Sequence, residues 1–232
     1  GYQLECMKNE QEILSLFNFL STQNWIQDFF SFDIRRFERL LREKDETFWS
    51  RKGEERALKL FHIAAKRIPA YKHFLRTCHV DPNKIKTIRD FAHLPVTDKK
   101  NYIDQYPLHL RNWKGDDLRL HNIVAVNAGT TGALRLWPRG GFQELEACIM
   151  HEVIYRNFFE IHKYKTLLII GFPIGMYVSG MATLLPSWTI SNKEEYNLII
   201  APIGNKKEEI IEFFKKISDG GLGYEQIVLT GH

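Results

Sequence analysis

Cysteine is scarce in this sequence, and its few copies fall far apart. The 232 residues contain three, Cys6, Cys78 and Cys148. The count is odd and no pair has CxxC spacing, which argues against a disulfide scaffold and against a cysteine-built zinc site. Long hydrophobic runs are missing as well. The longest candidate, Leu167 to Phe172, has strand length, far short of the roughly 18–20 residues of a membrane span. The first residues are charged and amidic where a signal peptide needs an apolar stretch. These absences give the expectation of a soluble, cytoplasmic chain with no membrane partner. Charge of one sign is modest too: the net charge is +4, with 22 Lys+Arg against 17 Asp+Glu in residues 1–120 and 10 against 11 in residues 121–232. An excess of five, interleaved with acids, reads as a solvated helical surface and speaks against a nucleic-acid partner.

Several catalytic signatures are absent. The sequence has no GxxxxGK(S/T) phosphate loop, no GxGxxG and no GxSxG, and none of its nine histidines lies four residues from another. His73 and His79 stand near Cys78 and Asp81 without ligand periodicity, so the metal-ligating residues expected here are none.

What is present is an ordinary globular composition, 44% hydrophobic and 26% charged, with a high aromatic fraction of 13%. Large aromatic side chains are core material first. In the first half, apolar residues recur at helical spacing: Ile13, Leu16, Phe17, Leu20; then Ile34, Phe37, Leu40, Leu41; then Leu58, Phe61, Ala64, Ala65, Ile68. Asp33 is placed to cap the second set, Pro69 interrupts the third, and Thr97 looks like the cap of a short helix at Asp98-Lys99-Lys100. From about residue 121 the period changes. β-rich runs at 121–127, 166–172, 197–203 and 226–230 alternate with helical patterns at Leu145, Ile149, Val153 and at Ile210, Ile211, Phe214, Ile217. The fold class expected is α/β. A helical N-terminal lobe over residues 1–115 would precede the first strands and helices of a mostly parallel sheet, covered on both faces, over residues 116–232. The chain closes on a strand entering a loop, so the sheet is expected to be a truncated one.

One segment carries chemistry: Val124-Ala125-Val126-Asn127-Ala128-Gly129-Thr130-Thr131-Gly132-Ala133-Leu134-Arg135-Leu136-Trp137. A β-run meets Gly-Thr-Thr-Gly and then a second β-like run. Glycines let backbone N–H groups converge, two threonines add hydroxyl donors, and Arg135 supplies charge, so the loop can wrap nucleotide phosphates. The same four residues also make a good hairpin turn, and from the motif alone both readings stand.

This segment resembles the phosphate-binding loop of the adenylate-forming enzymes, usually Ser/Thr-Ser/Thr-Gly-Ser/Thr-Thr-Gly-x-Pro-Lys/Thr. The surroundings resemble one branch, the phenylacetate–CoA ligases and coenzyme F390 synthetase-like proteins. The likeness runs through Ile68-Pro69-Ala70-Tyr71-Lys72, Val80-Asp81-Pro82, Asp90 to Lys99, Tyr106-Pro107, Phe172 to Gly180, and Tyr224 to His232. It covers residues 68–232; residues 1–67 match in being helical and no further.

The resemblance implies ATP- and Mg2+-dependent activation of a small carboxylic acid to an acyl-adenylate, then acyl transfer to CoA or another thiol. Gly129, Thr130, Thr131, Gly132 and Arg135 would bind the cofactor, and Phe172 and Tyr177 would border the acyl pocket. It leaves room for a homodimer. It implies that the family's catalytic lysine, its metal-binding glutamate and its ribose-binding aspartate lie beyond His232, so no catalytic residue is expected within this sequence. The sequence departs from the motif at Asn127-Ala128, Leu134, Arg135, Pro173 and Ile174. An acyl-protein synthetase-like enzyme is one alternative, and a non-catalytic nucleotide- or acid-binding protein with a degenerate fold is another.

Overall fold

The structure is a computed structural model and describes residues 24–112, 123–128, 134–175, 177–220 and 223–231. The chain divides into two compact units, residues 1–38 with 121–232, and residues 39–120. The fold is mixed α/β.

The helical unit follows its caps. Helix α1 (Trp25–Ser31) belongs to the α/β unit, and the division between the units falls inside α2 (Ile34–Glu43). Asp33 accepts from the backbone N–H of Arg36 at 2.9 Å, as its position before the apolar set predicts. Asp45 caps α3 (Glu46–Arg67) by accepting from Phe48 N–H. Ile68 closes α3, and Pro69 opens α4 (Pro69–Thr77) at a position where its missing N–H costs nothing. Phe61, Ala65, Leu75 and Ile85 form the core here, with Tyr71, Phe91 and Leu94 against them. Three short pieces follow, 3-10 turns at Pro82–Lys84 and Ile88–His93 and a π-helical turn at Lys99–Ile103, before α5 (Leu108–Arg111). The cap of the π turn is Asp98, which exchanges bonds with Asn101 in a capping box, so the assignment to Thr97 shifts by one residue.

In the α/β unit, β1 (Ile123–Ala128) and β2 (Leu134–Arg139) form an antiparallel hairpin that is a sheet of its own. The second sheet contains β3 (Thr166–Gly171), β4 (Leu198–Ala201) and β5 (Gln226–Gly231) in the order β4-β3-β5, all parallel. The expectation of one mostly parallel sheet is therefore corrected at β1. Its β-rich run was legible, but its partner is the next strand, since a five-residue connection permits a hairpin and is too short for a crossover. Central strand β3 is buried along its whole length, which is why it reads as a continuous apolar run. Helix α6 (Gly141–Phe158) precedes β3, α7 (Val178–Ser191) joins β3 to β4, and α8 (Lys207–Gly220) joins β4 to β5. Phe213, Phe214 and Ile217 of α8 pack on Leu167, Ile169 and Ala201. Helix α7 packs against α6 and β4. Among the described residues no helix is long and apolar enough to cross a membrane.

Candidate functional site

The motif segment begins on β1 and resumes on β2. Asn127 stands opposite Arg135 and Ala128 opposite Leu134 in the hairpin register. Gly129, Thr130, Thr131 and Gly132 lie outside the described residues. Arg135 is half-buried on the face of β2 that also carries Trp137. Among the described residues the indole Nε1 of Trp137 is buried and meets no hydrogen-bond partner.

Phe172 and Tyr177 bracket the connection that leaves the carboxyl end of β3. Parallel sheets commonly bind ligands at the carboxyl ends of their strands, because the loops there converge around an open crevice. Two glycines shape this connection. Gly175 has φ of +108°, a conformation that L side chains rarely adopt. Gly180, in the first turn of α7, allows the helix to lie against the chain preceding it, for a Cβ there would stand 2.0 Å from the Pro173 carbonyl oxygen. Gly204, beyond β4, donates its N–H to the carbonyl of Ile170 at 3.0 Å and so closes the same end of the sheet. Gly171 and Gly231 also approach closely there, a Cβ on Gly171 falling 2.8 Å from the Thr230 carbonyl.

The two candidate segments meet. Val126, buried on β1, forms a parallel bridge with Tyr177, the residue that starts α7. This puts the strand entering the Gly-Thr-Thr-Gly segment beside the loop holding Phe172 and Tyr177. Tyr177 is 38% exposed, and Phe172 is half-buried. A cavity of about 500 Å³ lined by Phe214, Ile217, Tyr224 and Ile227 lies at the amino end of β5, the opposite end of the strands, and does not belong to this site. Among the described residues, no group of three or more His, Cys, Asp or Glu side chains is placed to hold a metal ion. No family model and no curated protein matches the chain.

Sequence reasoning missed a second constellation, buried between α2, α6 and the turn after α7. The Glu152 carboxylate accepts twice from Lys193 Nζ, at 2.8 and 2.7 Å, and once from the Tyr196 hydroxyl at 2.5 Å. Arg156 donates to Glu38 at 2.9 Å and to the Tyr196 hydroxyl at 3.0 Å, and Asn157 donates to Glu38 at 2.8 Å. The Lys193 ammonium also lies 4.2 Å from the Phe29 ring centroid. Burial is the largest influence on Glu152 and raises its pKa, against the opposing pull of Lys193. Burial likewise raises Tyr196, and the Glu152 carboxylate adds to the effect. Burial works against the Arg156 charge, but its bonds to Glu38 and Tyr196 outweigh it and hold the pKa above the ordinary value. Two carboxylates face two cations, and every one is hydrogen-bonded, so the cluster satisfies the condition for burying charge. With Glu152 fully buried, no substrate atom reaches it. The bonds that join Glu38 to Arg156 and Asn157 hold α2 against α6. Cys148 on the same helix is a buried thiol that burial pushes up to about 12, which leaves it inert as a nucleophile.

Proposed function

We propose that this chain supplies the phosphate-binding and acyl-binding part of an ATP-dependent carboxylate-activating ligase, one that forms an acyl-adenylate and then a thioester with CoA. What supports the reading is the Val126–Tyr177 bridge, which joins two segments that resemble that family separately in sequence. In the reaction, a carboxylate oxygen attacks the α-phosphorus of ATP, the bond to the bridging oxygen breaks and pyrophosphate leaves. A thiolate then attacks the acyl carbon and AMP leaves. Converging backbone N–H groups and the hydroxyls of Thr130 and Thr131 would hold the departing pyrophosphate charge, with Arg135 alongside. Mg2+, when bound with ATP, would supply positive charge against the phosphates.

The replacement of the usual hydroxyl pair by Asn127-Ala128 favours a second reading, a protein that binds the nucleotide or acid without activating it. Acid-dependent ATP–pyrophosphate exchange by the native protein over a panel of carboxylic acids separates the two. The ligase reading expects exchange that Thr130→Ala with Thr131→Ala abolishes. Ligand-induced thermal stabilisation without exchange supports the binding protein. Nucleotide binding that the double variant leaves untouched overturns the phosphate-loop assignment.

A further inference from the structure

The end of the sheet away from the candidate site is hollow. A cavity of about 500 Å³ opens between the second half of α8 and the start of β5, within the range of roughly 300–1,000 Å³ that small-ligand pockets occupy. Its apolar walls are Phe214 and Ile217 of α8, with Tyr224 and Ile227 from β5 and its approach. Ile227 is 45% exposed, so the fold has left this wall without cover. Gly223, on the rim, has φ of +61°, a turn into β5 that an L side chain rarely adopts. The polar walls are Ser218, Glu225 and Gln226, and their donors are spent within the protein. The Ser218 hydroxyl donates to the Lys215 carbonyl at 2.8 Å. The Gln226 amide donates to the Phe159 carbonyl at 2.6 Å and to the Thr166 hydroxyl at 2.7 Å. Glu225 accepts the Lys165 backbone N–H on one carboxylate oxygen, at 2.6 Å. Among the described residues, its other oxygen and the Gln226 side-chain carbonyl meet no donor. The Tyr224 hydroxyl can serve either way.

We infer that this cavity binds a small apolar amine in its cationic form, an alkylammonium or arylalkylammonium. The apolar body displaces water from Phe214, Ile217 and Ile227, and the ammonium donates to the Glu225 and Gln226 oxygens that the fold leaves open. Aromatic walls attract a cation as well. A carboxylate brings acceptors to a site whose spare side-chain groups are mostly acceptors, and it would face the Glu225 charge. One group opposes the cation. Lys165 Nζ stands beside Gly223, 3.7 Å from where a Cβ would lie, and among the described residues it forms no ion pair. Glu225 is a wall of the cavity and Lys165 is not, so the carboxylate decides the sign. The two side chains act on affinity in opposite directions. The inference does not rest on the ligase reading, because the cavity lies at the amino end of the strands and the candidate site at the carboxyl end.

Isothermal titration calorimetry tests it with octylamine, octanol and octanoate, which share one tail. Octylamine is expected to bind most tightly. Across butylamine, hexylamine and octylamine, affinity is expected to rise by up to roughly fourfold for each methylene the cavity buries. Glu225→Gln keeps an acceptor for the Lys165 N–H and removes the charge, so it is expected to weaken octylamine roughly tenfold. Lys165→Met is expected to tighten it about threefold. Ile227→Trp, placed on the half-exposed wall, is expected to fill the cavity and abolish binding. Glu212→Gln, on α8 outside the cavity, removes the same charge as Glu225→Gln and is expected to retain affinity. Tyr177→Ala, at the candidate site, is expected to retain it too. Circular dichroism melts establish that each variant folds. No binding of octylamine, or equal or tighter binding of octanol or octanoate, overturns the proposal. So does equal weakening by Glu225→Gln and Glu212→Gln, weakening by Lys165→Met, or a loss in Tyr177→Ala that Ile227→Trp does not share.

Discussion

The α/β unit takes charge into its interior, with Glu38, Glu144, Glu152, Arg156 and Lys193 all buried, whereas among the described residues of the helical unit no charged side chain is buried. The helical unit is instead held by aromatic edges, such as Phe61 on Tyr71 and Tyr102 on Phe74. Its carboxylates work at the surface as caps. Asp90 accepts from the N–H groups of Lys86 and Thr87, which holds its pKa below the ordinary value. The difference is one of risk. Aromatic contacts and caps each contribute about 1 kcal/mol and fail one at a time. A buried ion network contributes little over an apolar core of the same shape but costs several kcal/mol when one member is removed. What it adds is register: Glu38 meets Arg156 and Asn157 in one alignment of α2 on α6.

Breaking that network is expected to produce the largest effect. Arg156→Ala leaves Glu38 buried without its cation and Tyr196 without a donor, and is expected to cost about 3–5 kcal/mol in denaturant unfolding. Arg51→Ala, which loses a salt bridge of 4.0 Å at the surface of the helical unit, is expected to stay within about 0.5 kcal/mol. If the two cost the same, the contrast between the units fails. Gly180→Ala comes next. A Cβ meets the Pro173 carbonyl oxygen at 2.0 Å, which is backbone and cannot swing aside, so a loss of roughly 1–3 kcal/mol is expected. In that variant, hydrogen exchange is expected to quicken first in residues 172–180, beside the candidate site.

Within the helical unit, Asp98→Ala removes the side-chain half of a capping box, the bond from Asn101 N–H, while the backbone N–H of residue 98 still donates to Asn101, and it is expected to cost about 1 kcal/mol. Thr97→Ala is expected to leave the melting temperature unchanged, and a loss there would restore Thr97 as the cap. The smallest expected effect is a pH slope. Burial holds His151 below the ordinary histidine value of 6.5. The folded state therefore favours the neutral ring, and the stability this gives is present above that value and lost as pH falls. The melting temperature is expected to drop between about pH 7.5 and pH 5.5, with a flatter slope in His151→Gln. An unchanged slope would show that His151 contributes nothing to it.

The sequence made some of this legible and concealed the rest for identifiable reasons. Strand β3 was readable because central parallel strands must be apolar throughout, and the α3–α4 break because proline cannot continue a helix. Helix α7 was not. Its sequence Val-Ser-Gly-Met-Ala-Thr-Leu-Leu-Pro-Ser-Trp-Thr-Ile-Ser carries no helical stripe. Buried Ser187 and Thr189 are tolerated there because their hydroxyls donate to the Thr183 and Leu185 carbonyls one turn back. Of the candidate site, the two strands on either side of the Gly-Thr-Thr-Gly segment were legible locally. The meeting of Val126 with Tyr177 was not, since the two residues are far apart in the chain.

Local patterns therefore decided most of the helices and strands, α7 excepted, because caps, prolines and apolar period act over a few residues. Tertiary structure decided the distant partners: Val126 with Tyr177, and Glu38 with Arg156 across more than a hundred positions. A charged residue carries no mark in its own neighbourhood of whether water or a buried counter-charge will neutralise it. That is settled when distant segments close over it.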